Sequence, residues 1–120
     1  LLIIEGQGSL LHPGSSASLP LIRGSCPTDM ILCHRADKIT LRNLEKIKIP
    51  KLKDFIDLNE SLASTCGTYG APKVIGIAVN TSKLSKSDSL NYIVNLEKQT
   101  GLPVTDVIRF GVEKIVHQLF

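Results

Sequence analysis

The sequence has no tryptophan, a single methionine, two tyrosines and three phenylalanines. With so few rings the core has to be aliphatic, and there is no series of aromatics on which nucleic-acid bases could stack. Charge is close to balance, with 14 Lys and Arg against 11 Asp and Glu for a net +3, so nothing argues for nucleic acid as a partner. The lysines of "KIKIPKLKD" (Lys46, Lys48, Lys51, Lys53) read as a solvated face, with a phosphate-binding patch as the alternative. Cys26, Cys33 and Cys66 form no C-x-x-C pair, which favours reduced thiols and a cytoplasmic location over a disulfide framework and offers no zinc spacing. No apolar run nears the roughly 18 residues a membrane span needs, and the opening "LLII" has no basic flank of a signal peptide. Neither G-x-x-x-x-G-K-[ST] nor G-x-G-x-x-G occurs, since Gly6 and Gly8 lead to Leu11. The chain therefore carries no phosphate loop and no NAD fingerprint of its own. Met30 is the only methionine, so the chain reads as a piece of something longer.

What is present is a set of nearly continuous aliphatic runs: "LLIIE" (1–5), "DMILCH" (29–34), "KVIGIAVN" (73–80) and "PVTDVI" (103–108). Runs of this kind are expected of parallel strands covered on both faces. Between them lie helical patterns. Residues 15–24 carry Pro20, and "LKDFIDLNESLAST" places Leu52, Phe55, Ile56 and Leu62 on one stripe. "SKSDSLNYIVNLEKQTG" opens with Ser85 and Asp88 at capping-box spacing, carries Leu90, Ile93, Val94 and Glu97 on one side, and stops at Gly101 and Pro103. A last helix over "GVEKIVHQLF" would pack Val112, Ile115, Val116 and Leu119. The order β-α-β-α-β-α-β-α predicts an α/β fold: a doubly wound, mostly parallel sheet in three α/β/α layers with right-handed crossovers. Residues 1–120 would form part of one domain whose sheet continues upstream of Leu1.

Parallel strands gather their C-terminal tips on one rim, where open α/β proteins bind ligands. The residues expected there are Glu5, Gly6, Gln7, Gly8 and Ser9, then His34, then Asn80, Thr81 and Ser82, then Arg109. Glu5 can hold Mg²⁺ through water or accept a proton, or it can be a solvated turn residue. The glycines let backbone N–H groups approach an anion. His12, in "LLHPG", and His34 are each either a base, a group orienting an acyl moiety, or an ordinary hydrogen-bonded histidine. Asn80 can read a base edge or enter a turn, and Arg109 can grip a carboxylate or phosphate or sit in a structural ion pair. Cys33 is expected to be buried as packing, and His117 to lie at the surface.

"EGQGSLLHP", "ILCH", "KVIGIAVNTS" and "TGLPVTDVIRFG" together resemble the C-terminal half of the D-glutamate N-acetyltransferase family, long described as a domain of unknown function with a P-loop-like fold. The resemblance spans nearly the whole chain. It implies the C-terminal part of a P-loop NTPase-like α/β domain, with the phosphate loop and an N-terminal domain absent, and acyl transfer from acetyl-CoA to the amino group of an acidic amino acid. By residue type Glu5 or His12 would be the base, the Gly6–Ser9 amides the oxyanion donors, and Arg109 or Arg23 the carboxylate clamp. More distantly, Glu5-Gly6-Gln7-Gly8 is similar to the "E-G-A-G-G" element of dethiobiotin synthetase, although Gln7 and Ser9 depart from it. That likeness keeps open an ATP/Mg²⁺-dependent ligase or kinase-like enzyme, or a nucleotide-binding domain without turnover. The implied partners are the small-molecule substrate and the upstream part of the same protein, with a homo-oligomer left open and neither nucleic acid nor membrane expected. The isolated fragment is expected to be inactive.

Overall fold

A computed structural model describes residues 1–6 and 8–120. They form two compact units, one of Leu1–Thr28 with Thr40–Pro72 and one of Asp29–Ile39 with Lys73–Phe120. Among the described residues no helix is long and apolar enough to cross a membrane.

The second unit holds the parallel sheet. Its strands are β1 (Asp29–Arg35), β4 (Lys73–Asn80) and β5 (Val104–Thr105), in the spatial order β1-β4-β5. Both pairings are parallel, so the α/β class and the parallel arrangement are as the aliphatic runs imply. β4 is central and buries Val74, Ile77 and Val79. β1 is an edge strand, and its sides alternate between half-buried and exposed. Ile31 is 48% exposed, and Cys33, expected in the core, is also exposed. An aliphatic run thus marks a doubly covered strand at β4 but not at β1, which has a neighbour on one side only among the described residues. Gly76 is fixed by close packing. A Cβ there would meet Ile115 Cγ1 at 3.0 Å and the Pro103 carbonyl at 3.3 Å, so a side chain would push β4 away from the segment it binds.

Helix α3 (Lys86–Thr100) follows β4 as its patterning predicts. Ser85 is the N-cap, its Oγ accepting from the Asp88 N–H at 3.0 Å, and Gly101 closes the helix in the left-handed conformation. Ser85→Ala is expected to destabilise the protein by about 1 kcal/mol, measurable as a lowered denaturant midpoint with unchanged slope. The buried face is Ser89, Ile93 and Leu96, while Leu90 and Val94 are each 46% exposed. The expected stripe is therefore rotated by about one position. β5 is far shorter than residues 103–108, because Asp106 turns the chain into α4 (Val107–Phe110). The last helix is likewise shorter than its pattern: α5 spans Glu113–Val116 and buries Ile115, with Val112 48% and Val116 39% exposed.

The first unit contains α1 (Ser18–Ser25), the antiparallel hairpin β2 (Thr40–Leu41) and β3 (Leu44–Lys48), and α2 (Leu52–Ser64). α2 packs against α1 and buries Ile56 and Ala63. The hairpin occupies part of the lysine-rich stretch that reads as a solvated face; Asn43, with φ 60°, makes the turn. Residues 1–5 are not a strand. They pair with no strand among the described residues, and Leu1, Leu2 and Ile3 are at least 83% exposed. Hydrophobicity alone does not make a strand: its backbone donors and acceptors need a sheet neighbour.

Candidate functional site

Register sets the rim of the second unit. Arg35 pairs with Asn80 and Ala78 with Thr105, so the C-terminal ends of all three strands lie along one edge. The buried polar residues among those described are Thr81, Ser89, Thr105 and Asp106, and all of them belong to this edge or to the helix beside it. Burying polar groups is costly unless each is satisfied, and here they satisfy one another and the backbone. Asp106 Oδ2 accepts from the Thr81 N–H at 2.9 Å and from Thr81 Oγ1 at 2.5 Å. Its Oδ1 accepts from the N–H groups of Ile108 at 3.1 Å and Arg109 at 3.2 Å, capping α4. Burial alone would raise the carboxyl pKa; the Thr81 hydroxyl and N–H and the Arg109 and Ile108 N–H groups outweigh it and hold the pKa below the usual value. With both oxygens saturated, Asp106 is a brace between the loops after β4 and β5 and no proton acceptor.

Arg109 reaches across from α4 to α3, where its Nη1 donates to Ser89 Oγ at 2.7 Å, and Ser89 Oγ donates to the Ser85 carbonyl at 2.7 Å. On the same helix, one turn on, the Tyr92 hydroxyl meets His34 Nε2 at 2.9 Å, the rings stacked with centroids 6.3 Å apart. Burial lowers the His34 pKa, partly offset by the Asp37 charge, and favours the neutral imidazole; burial pushes the Tyr92 phenol up. Asn80 Oδ1 accepts from the Ser82 N–H at 3.0 Å, so that oxygen is engaged in a local turn. His34, Asn80, Thr81, Ser82 and Arg109 are thus brought onto one unit at one sheet edge.

Glu5, Gly6, Gly8, Ser9 and His12 lie in the first unit. Glu5 therefore does not end a strand of the parallel sheet. Its carboxylate is exposed and has no hydrogen-bond partner among the described residues. Ser9 Oγ accepts from the Leu11 N–H at 3.1 Å, and the Ser9 carbonyl accepts from the His12 N–H. His12 Nδ1 accepts from the Gly14 N–H at 3.1 Å, which assigns its proton to Nε2 in the neutral ring. Gly8 has φ 101°, a conformation that suits glycine. The sides from which Cβ atoms would project at Gly6 and Gly8 are filled by Leu21 and Ser15. Gln7 lies outside the described residues. No group of three or more His, Cys, Asp or Glu that could hold a metal occurs among the described residues. A Mg²⁺ ion at Glu5 would need phosphate and water for most of its shell.

Asp106, Ser89 and Tyr92 escape a reading of the sequence. Asp106 lies inside an apolar segment read as strand, yet Asp followed by a short apolar turn is also a helix N-cap signal. Ser89 and Tyr92, three apart on α3, share a face only once the helix phase is known.

The pattern described as "Domain of unknown function (DUF1611_C) P-loop domain" matches residues 1–116. The chain belongs to this family. A crystal structure of a DUF1611 family protein from Anabaena variabilis superimposes with a TM-score of 0.93 at 47% identity, over 96% of this chain and 34% of that one. Two proteins named D-glutamate N-acetyltransferase also match this chain. That of a Pseudoalteromonas species is 37% identical, and that of Tritonibacter scottomollicae is 34% identical, each over 98% of this chain. The chain spans about a third (35%) of the length of either.

Proposed function

We propose that this chain is the P-loop-domain portion of an enzyme that transfers an acetyl group from acetyl-CoA to the amino group of an acidic amino acid. One observation carries the reading: 37% identity, over 98% of the chain, to a protein named D-glutamate N-acetyltransferase. The chemistry requires a base for the ammonium proton, after which the amine nitrogen attacks the thioester carbonyl. The tetrahedral intermediate collapses with cleavage of the C–S bond, and the CoA thiolate leaves. Glu5, exposed and without a partner among the described residues, suits the base better than His12, whose Nδ1 lone pair is engaged by the Gly14 N–H. With its proton on Nε2, His12 is instead a donor suited to the developing oxyanion.

The test is a thiol-release assay on the full-length protein with acetyl-CoA and D-glutamate. CoA should appear in step with the loss of free amine, and the 120-residue chain alone should release none. CoA release without acylated product, or ATP hydrolysis in place of transfer, would overturn the proposal.

A further inference from the structure

The cation at the sheet edge is held but not neutralised. Arg109 forms no ion pair among the described residues. The acid closest to it in sequence, Asp106, spends both carboxylate oxygens on Thr81 and on backbone N–H groups. One Nη1 bond ties the guanidinium to Ser89, which is 0% exposed and is itself fixed on the Ser85 carbonyl. A guanidinium has five N–H donors, so most of the fork stays open, on an exposed residue at the strand tips. Arg23, the other cation of matching type, has no side-chain anchor among the described residues and lies exposed on α1. Anchoring removes side-chain freedom before a ligand arrives, and the planar fork matches two oxygens at once.

We propose that Arg109 is a bidentate oxyanion receptor, with Ser89 as its positioning residue, taking the paired oxygens of a carboxylate or phosphate. The choice of ligands to test rests on the acyl-transfer reading, in which the acidic amino acid supplies the carboxylate and acetyl-CoA the phosphates.

The experiment is calorimetric titration of the full-length protein with glutarate and, separately, with inorganic pyrophosphate. Arg109→Gln should weaken binding of one of them at least tenfold. Arg109→Lys should recover only part of the loss, because an ammonium keeps the charge without the fork. If glutarate is the affected probe, the KM for D-glutamate should rise with kcat little changed; if pyrophosphate is, the KM for acetyl-CoA should rise instead. Thermal melting controls for folding. Should Arg109→Gln unfold, Ser89→Ala carries the test: it keeps the charge and should weaken the same probe several-fold. Failure of the wild-type protein to bind either probe, or equal binding by wild type and variants, would overturn the proposal. Neither titration needs turnover. A protein that binds glutarate through Arg109 yet transfers no acetyl group defeats the acyl-transfer reading alone.

Discussion

Asp106→Asn is expected to be among the most damaging isosteric substitutions in the chain. The carboxylate accepts from Thr81 on one oxygen and from Ile108 and Arg109 on the other. An amide must turn its NH₂ toward one of these groups, so donor faces donor whichever way it is placed. The Thr81 hydroxyl can rotate to accept, but the backbone N–H groups cannot. Leaving one or two such donors unsatisfied costs roughly 1–3 kcal/mol each, so the full-length protein should melt several degrees lower. The same change frees the loops after β4 and β5 and displaces Arg109. The loss also has a pH signature. Because hydrogen bonding holds the folded-state pKa of Asp106 below the unfolded value of about 3.9, its contribution to stability is complete above that value. It disappears as pH falls through the lowered pKa. Melting temperatures of wild type and variant, measured from neutral pH into acid, should therefore converge; parallel curves would show that the carboxylate braces nothing.

The second large effect falls on activity alone. Glu5→Gln should reduce acetyl transfer by the full-length protein by about 10²–10⁴-fold, the range that general acid–base groups contribute. The melting temperature should hardly move, since the side chain is exposed and unpartnered among the described residues. Undiminished transfer would make Glu5 a turn residue and return the base to another group. The amide keeps the size and polarity of the acid and removes only its affinity for a proton, so a large kinetic effect with a silent melt separates chemistry from folding.

Legibility in the sequence followed the range of the interactions involved. The Ser85 and Asp88 cap and the Gly101 stop are local devices complete within a few residues, and α3 begins and ends where they place it. β4 declares itself by an unbroken aliphatic run that only a doubly covered strand needs. Residues 1–5 carry the same kind of signal without a pairing partner among the described residues, and β1 shows how one uncovered side alters the burial of a similar run. The hairpin of β2 and β3 turns on Asn43, a residue that tolerates the left-handed region. Its clue was masked by the lysines around it. At the site, the types that belong on a sheet rim could be named from their places after the strands. What could not be read was the bracing: Thr81 reaches Asp106 across 25 positions of sequence, and Arg109 reaches Ser89 across 20. Such contacts exist only after the strands have paired.

The hydrogen bonds from Arg109 through Ser89 to the Ser85 carbonyl all point the same way. An arginine has nothing with which to accept, and a carbonyl nothing to give, so no proton can be relayed along that path. An anion arriving there meets a guanidinium whose hydrogen bonds are all donated. A proton taken from a substrate must therefore leave through groups elsewhere.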